Sequence, residues 1–234
     1  MKEKKILSYV VNLIIIFMLT ILSLVTFSNK RIDEIDVFSP YYNGNTEQKA
    51  VSIMFNVYGG EEYLPLILET LNLYSAKATF FVGGVWAIKH EDALIMLAES
   101  GNEIANHGYL HRDHKKLSYT QNKDEILVAE RTIENICGIK TNLFAPPSGS
   151  FSPDTIKACS DIGYKVIMWS KDTIDWRDKD AQLVFSRATK NVKAGDLILM
   201  HPTKHTADAL DDILKNLKEA NFEIKTVGEN IKFP

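Results

Sequence analysis

Three histidines lie close together in the segment NHGYLHRDH, as His107, His111 and His114. If this segment coils as a helix, positions i, i+4 and i+7 share one face and the three imidazoles converge. Three imidazoles suit a zinc ion that keeps a fourth position open for water. The alternative, which we favour for His114, is a solvated polar residue within the charged stretch HRDHKK. The spacing therefore leaves a three-histidine metal site as one of two interpretations.

Other side chains capable of chemistry follow four further predicted strands. Asn56 follows the first strand, FAPPSGSF the fourth, WSKDTIDW the fifth, and LMHPT, with His201, the sixth. The carboxyl ends of parallel strands meet at one face of an α/β fold, where binding and catalytic sites are built. A structural role is the more frequent one for any single residue of this kind. Five clusters at one face, however, predict a site.

The elements that must position these residues begin at Lys49. Predicted strands cover residues 50–55, 78–82, 103–106, 143–145, 165–168, 196–200 and 223–226. Helical patterns between them cover residues 63–74, 88–100, 118–136, a segment that begins at Ser152, and 210–220. This alternation predicts an α/β fold with parallel strands and helices outside. Seven strands suit a barrel or a doubly wound sheet, and periodicity alone does not separate the two.

Composition excludes some classes of function. The chain has 234 residues, 45% of them hydrophobic and 24% charged, which is ordinary for a globular protein. Its formal net charge of −3, without basic runs, argues against nucleic acid as a partner. Cys137 and Cys159 match neither a disulfide framework nor a zinc spacing. We interpret them as helix-packing residues, and a bridge between them stays open.

The N-terminal segment predicts a membrane anchor. Residues 6–27 carry no charge, and about 20 apolar residues span a bilayer. The lysines at positions 2, 4 and 5 favour a cytoplasmic N-terminus and an extracytoplasmic domain. The predicted organisation is a tail at 1–5, a transmembrane anchor at 6–27, a linker at 28–48 and a folded domain at 49–234. The expected location is the cell membrane.

Three stretches make the chain similar to a known family: KATFFVGG at 77–84, GNEIANHGYLH at 101–111 and GYKVIMWSKDTIDW at 163–176. The chain resembles the polysaccharide deacetylases of carbohydrate esterase family 4, with their chitooligosaccharide deacetylase homology domain. It is most similar to the sporulation-type branch. The resemblance implies a distorted parallel (β/α) barrel of about seven strands and a divalent metal such as zinc. It implies N-acetylated glycans, such as peptidoglycan or chitin, as substrates.

The resemblance also implies residue roles. His107 and His111 match the metal-binding pair. Asp175 and His201 match the acid side of the site, where His201 would protonate the leaving amine. Pro147 and Gly149 match the frame of a third motif. Pro147, Trp176 and Tyr58 are candidates for substrate binding, and Tyr58, Trp86, Tyr109 and Trp176 for a surface on which sugars stack.

Three positions depart from the pattern that the resemblance implies. Asn56 stands where the family has its general base, and an amide has no useful pKa for that role. Val57 stands where the family has a metal-binding Asp, and it offers no donor atom. Ala145 stands where the family has an Arg that positions the base. A buried Arg without its carboxylate partner costs about 3–5 kcal/mol, so the losses at 56 and 145 are consistent with one remodelling event.

Two hypotheses follow from the residues that are kept and the residues that are lost. The first is a membrane-anchored amidohydrolase that removes acetyl groups from cell-wall glycan with a weakly bound divalent metal. Glu61, Glu62 and Asp172 are its candidate substitute bases, although Asp172 is also suited to cap its own loop. The second is a non-catalytic relative that binds glycan, or a partner in wall assembly, in the same groove.

Overall fold

The structure, a computed structural model, describes residues 12–23 and 39–231. The chain divides into one unit up to Phe38 and a second, compact unit from Ser39 onward. In the first unit, residues 12–23 form helix α1. The predicted tail at 1–5 and most of the predicted linker, residues 28–38, lie outside the described residues.

The prediction of a transmembrane helix is wrong for the part of the chain that the structure describes. No helix among residues 12–23 and 39–231 is long and apolar enough to cross a membrane. The described part of helix α1, residues 12–23, is about 18 Å long at 1.5 Å per residue. The hydrocarbon core of a bilayer is about 30 Å thick. Residues 6–11 and 24–27 of the predicted span lie outside the described residues.

The second unit is built on one curved sheet in which the paired strands run parallel. Its order is β5-β4-β3-β2-β1-β7-β6, and β8 pairs with the start of β1, so the sheet forms an open half-barrel. The strands are β1 (Ala50–Val57), β2 (Thr79–Val82), β3 (Glu103–Asn106), β4 (Leu143–Phe144), β5 (Lys165–Val166), β6 (Lys171–Asp172), β7 (Leu197–Met200) and β8 (Glu223–Ile224). Seven of them match the predicted strands. The two-residue strand β6 is additional, because it arises inside WSKDTIDW where no apolar pattern marks it.

Helices connect the strands. They are α2 (Leu64–Leu73), α3 (Gly84–Lys89), α4 (Glu91–Glu99), α5 (Tyr119–Cys137), α6 (Pro153–Asp161), α7 (Ala181–Thr189), α8 (Lys204–Glu219) and α9 (Val227–Asn230). The capping boxes at Ser118 and Ser152 confirm the predicted starts of α5 and α6. The predicted helix 88–100 is instead two helices, because His90 has non-helical φ and ψ values of −135° and 51°.

Residues 39–48, predicted as the end of a linker, pack against the sheet. Tyr41 accepts a backbone hydrogen bond from Met168 and donates one to Val166, which extends the sheet beside β5. Gly44 donates to Gly195, just before β7. This segment therefore connects the two sides of the half-barrel, and the compact unit begins at Ser39.

Strand β1 is buried along its whole length. Side chains alternate between the two faces of a strand, so Val51, Ile53, Phe55 and Val57 face one way. These four residues belong to the large apolar cluster that also contains the buried faces of the helices. Met54 belongs instead to the cluster inside the half-barrel, and Asn56 shares its face. The direction of each side chain at the end of β1 follows from this alternation.

A tight turn after β1 brings that strand tip against the loop after β7. Gly60 has a φ of 79°, and a Cβ atom there would lie 1.8 Å from the carbonyl oxygen of Pro202. A side chain at position 60 must therefore displace backbone. Pro202 directly follows His201, so the turn also fixes where one predicted site residue lies.

We expect Gly60→Ala to lower the free energy of unfolding by about 2 kcal/mol or more, from left-handed strain and the clash with Pro202. Gly59→Ala is the matched control, because no atom lies within 4 Å of a Cβ at that position. The control should change stability by no more than about 0.5 kcal/mol. Urea denaturation of both variants measures the difference. Equal stability of the two variants would contradict the packing described for this turn.

Candidate functional site

Two adjoining cavities open at the carboxyl ends of the strands, with volumes of about 380 and 350 Å³. Asn56, Tyr58, Trp176 and His201 line both of them. We call the two cavities together the groove. The first cavity is also lined by Gly59, Gly60, Tyr63, Asp175, Lys179, Pro202, Thr203, Lys204 and His205, and the second by His107, His111, Ser148, Trp169, Asp172 and Leu199. The five predicted clusters therefore do meet at one face.

The histidine pair at the end of β3 lies in the second cavity. The Nδ1 of His107 donates a hydrogen bond of 2.7 Å to the carbonyl of Ala145, which leaves Nε2 as the other ring nitrogen. His111 has a left-handed φ of 54°, and its ring centroid lies 5.1 Å from that of His107. Burial lowers the pKa of both imidazoles, most strongly that of His107, and His111 lowers the pKa of His107 further. Both rings are therefore neutral at pH 7.

Buried polar contacts hold the turn that carries this pair. Gly108 donates its N–H to Oδ1 of Asn106, and Asn106 donates in turn to the carbonyl of Ile126 on α5. The Glu125 carboxylate, also on α5, accepts from the backbone N–H groups of Tyr109 and Leu110. The turn is therefore fixed to α5 by side chains rather than by a continuing helix.

His114 does not join the pair, and both predictions for it are wrong. It is fully buried, with its ring 4.9 Å from that of Phe144. Its Nδ1 donates to Oδ1 of Asn122, whose Nδ2 donates to three backbone carbonyls. The left-handed residue His111 breaks the helical spacing on which convergence depended. His114 is therefore a core residue beneath the loop, neither a metal ligand nor solvated.

Tyr58 lies among the histidines of the groove. Its ring centroid is 4.2 Å from that of His111, 6.3 Å from that of His107 and 6.1 Å from that of His201. The side chain is 49% exposed, so one face of the ring remains accessible. The phenol ring therefore covers the histidine pair on the side of the groove.

The residues present do not fit the divalent metal that the resemblance implies. Val57, at the position of the missing ligand, is fully buried in the helix-facing cluster and has no donor atom. Within the described part of the chain, no three His, Cys, Asp or Glu side chains are arranged to hold a metal ion. The pair of imidazoles, covered by Tyr58, is an incomplete ligand set.

His201 and Asp175 form a tightly bonded pair. The Nδ1 of His201 donates to Oδ1 of Asp175 at 2.8 Å, and the His201 backbone N–H donates to Oδ2 at 2.6 Å. Thr206, in the first turn of α8, also donates to Oδ2. Asp175 is 1% exposed, so its oxygens are occupied by these three donors. The arrangement fixes the imidazole and leaves its Nε2 for the groove.

The candidate substitute bases are not gathered in the groove. Glu61 accepts from the indole N–H of Trp86 at 3.4 Å and lies 3.7 Å from His90. Glu62 is exposed and lines neither cavity. Asp172 lines the second cavity, and its Oδ1 also accepts from the N–H of Ile174, as a loop cap does.

The four predicted sugar-stacking residues do not line one common cavity. Trp176 is 55% exposed and lines the groove. Trp86 is only 5% exposed and stacks on His90, and with Tyr109 it lines a different cavity of about 330 Å³. Tyr58 lines both the groove and that cavity.

The third motif and the segment WSKDTIDW contribute neighbours that the sequence did not single out. Pro147 is buried and lies beneath the loop at Gly108 instead of lining the groove. Ser148 and Trp169 do line the second cavity. Both follow predicted strands, in the segments FAPPSGSF and WSKDTIDW, so their position after a strand was the available signal.

Comparison with known proteins identifies the family. The polysaccharide deacetylase family profile matches residues 43–167, and the chain belongs to this family. The uncharacterized protein YlxY of Bacillus subtilis is 35% identical over 190 residues, which cover 81% of this chain and 60% of that protein. The peptidoglycan-N-acetylmuramic acid deacetylase PdaA of Bacillus subtilis is 27% identical over 200 residues, covering 83% and 76%.

One solved structure is similar in both fold and sequence. BA3943 from Bacillus anthracis, a CE4 family pseudoenzyme, superposes with a TM-score of 0.81 and is 36% identical, over 83% of this chain and 69% of that one. A mutant of that pseudoenzyme with restored enzymatic activity gives the same TM-score at 34% identity, covering 83% and 72%. The family therefore includes both deacetylases and a relative described as a pseudoenzyme.

We expect zinc to bind more weakly than it would at an Asp-His-His site. Loss of an outer-shell partner costs about 10–100-fold in metal affinity, and loss of a direct ligand should cost at least as much. Titration calorimetry with zinc alone measures the affinity. His107→Ala should abolish any remaining binding, whereas His90→Ala, outside the groove, should not. One zinc per chain that survives gel filtration and mild chelation would contradict the incomplete ligand set.

The buried histidines predict a dependence of stability on pH. Burial lowers the pKa of His107, His111 and His114 in the folded state, so the unfolded chain binds more protons below about pH 6.5. The free energy of unfolding should therefore fall between about pH 7.5 and about pH 5.5. His114→Gln should reduce this fall more than His90→Gln does. Urea denaturation at the two pH values tests this, and an unchanged stability of the wild type would refute it.

Proposed function

We propose that the protein binds N-acetylated cell-wall glycan in the groove and hydrolyses it slowly or not at all. The observation that carries this proposal is Asn56, a buried amide at the position of the family's general base. An amide does not accept a proton near neutral pH, and a general base is worth about 10²–10⁴-fold in rate. The site therefore lacks the group that would activate water.

Two further positions, Val57 and Ala145, lack the groups that the family pattern has beside the general base. The Val57 side chain packs among apolar residues and offers no ligand atom. Ala145 is fully buried inside the half-barrel, and its carbonyl accepts the hydrogen bond from His107. No Arg is present at that position to orient a carboxylate at 56. Base, metal ligand and positioning residue act as a unit, so their combined loss is greater than any one loss suggests.

The features that support glycan binding are two exposed aromatic residues and the His201–Asp175 pair. Trp176 and Tyr58 present exposed aromatic faces, which suit the apolar face of a sugar ring. The His201–Asp175 pair supplies a fixed polar group in the same cavity. The name of PdaA includes peptidoglycan N-acetylmuramic acid, which makes peptidoglycan the first ligand to test. We further propose that the domain is extracytoplasmic, because peptidoglycan lies outside the cytoplasm, and that spore peptidoglycan is the form favoured by the sporulation-type resemblance.

A second candidate function is deacetylation of the same glycan at a rate well above background. The intact His201–Asp175 pair favours it, because a bonded imidazole of this kind can protonate a leaving amine. The two candidates differ in turnover, while the ligand is the same.

Release of acetate from N-acetylated peptidoglycan separates them. We expect the wild-type protein to release acetate at a rate close to that of a heat-inactivated sample, with or without a chelator. A rate that is well above this background and disappears on chelation would contradict the proposal. It would support a metal-dependent deacetylase with a base other than Asn56.

The triple change Asn56→Asp, Val57→Asp, Ala145→Arg should raise acetate release by about 10²-fold or more, because it returns the base and its two supports together. Asn56→Asp alone should change the rate little. His201→Ala in the triple background should abolish the gain. Because Val57→Asp adds a carboxylate beside an apolar cluster, thermal melting is measured in parallel. A folded, zinc-binding triple variant without gain would show that the groove does not admit the glycan.

A further inference from the structure

The amide of Asn56 is the most unusual polar group of the groove. The side chain is 2% exposed, and its Oδ1 is buried without a hydrogen-bond partner among the described residues. Buried polar atoms are almost always hydrogen-bonded, and an unsatisfied one costs about 1–3 kcal/mol. Valine or leucine would fill the same space at the end of β1 without this cost. An amide kept there at that cost points to a ligand that satisfies it.

The position of Asn56 identifies the part of a ligand that it can reach. It lies at the junction of the two cavities, since it lines both of them. His107 and His201 also line the second cavity, and each has its Nδ1 already bonded, to Ala145 and Asp175. The inner end of the groove therefore presents one unpaired amide beside two imidazole Nε2 atoms. Asp175 does not compete for this amide, because its two oxygens already accept from three donors.

We infer that Asn56 recognises the intact acetamido group of an N-acetylated sugar, amide to amide and without a metal; this inference rests on the proposed function. A carboxamide offers two N–H donors and one carbonyl acceptor. An acetamido group offers the complementary pair, a carbonyl that accepts from Nδ2 and an N–H that donates to Oδ1. The contact explains why an amide, rather than an apolar residue, replaces the base. It makes the groove a receptor for glycan that has kept its acetyl groups.

The same chemistry predicts discrimination against deacetylated glycan. A free amino sugar carries an ammonium, which has donors only and cannot accept from Nδ2. Binding it would leave part of the Asn56 amide unsatisfied and bury a cation beside a neutral group. Asn56→Asp reverses this preference, because a carboxylate of the same shape attracts the ammonium and repels the acetyl oxygen. One atom at position 56 therefore sets the specificity.

The test compares a chitin tetramer with its fully deacetylated form, by titration calorimetry in the presence of a chelator. We expect the wild type to bind the acetylated tetramer at least about tenfold more tightly, as two neutral hydrogen bonds imply. Asn56→Asp should lose this preference and bind the amino form more tightly than the wild type does. Asn72→Asp adds the same charge at an exposed position on α2 and should keep the wild-type preference.

The outcomes separate this inference from the proposed function. If the wild type prefers the acetylated tetramer and both Asn56→Asp and Asn56→Ala keep that preference, Asn56 is not the recognising group and only the inference fails. Binding of both tetramers with equal affinity also overturns the inference alone. Loss of binding on chelation overturns its metal-free character. Failure of the wild type to bind either tetramer or peptidoglycan overturns both. Asn56→Ala, which introduces no charge, keeps the test decisive if Asn56→Asp does not fold.

Discussion

The alternation of side chains along the buried strand β1 is the constraint on which the groove depends. The strand pairs with neighbours on both edges and is covered on both faces. The direction of each side chain is therefore set by its position in the strand and not by its polarity. Asn56 is therefore directed towards the groove and Val57 towards the helices. A shift of one residue would exchange them and bury the amide among the helices. The chemistry of the site follows from which of the two residues faces inward.

Around this strand the site is asymmetric. On one side, His201 is held by Asp175, and that carboxylate is held by Thr206 and by backbone. On the other side, the His107 imidazole donates to the carbonyl of Ala145 and its backbone N–H to that of Val82, and Asn56 in the same cavity is an amide. The first side has the arrangement that proton transfer requires, and we propose that the second lacks the groups that activate water. This division of the site favours the proposal that the protein binds a glycan over the alternative that it hydrolyses one.

The groove is nonetheless a well-defined polar environment. Burial keeps His107 neutral, Tyr58 covers the histidine pair, and Trp176 remains exposed at the entrance. We propose that the unpaired amide at its inner end decides which glycan it accepts. In this proposal, weak catalysis and selectivity both follow from the amide at position 56, because an amide that cannot take a proton can still form directional hydrogen bonds.

The sequence by itself determined the alternation of strands and helices, the starts of α5 and α6, and the meeting of five polar clusters at one face. These features depend on local periodicity and capping, which a linear pattern records. It also determined the residue types at the altered positions. The N-terminal span shows the limit of such patterns: an uncharged run predicted an anchor, but no helix among the described residues is long and apolar enough to cross a membrane.

Only the tertiary structure decided which side chains meet. His114 is buried beneath the loop because the left-handed backbone at His111 breaks the helical spacing. Glu61 contacts Trp86 and not the groove, and Tyr58 lies over the histidines. These contacts depend on backbone angles in loops and on the packing of segments that are distant in sequence. No periodicity encodes either of them, and for that reason the sequence could name the residues of the site but not their partners.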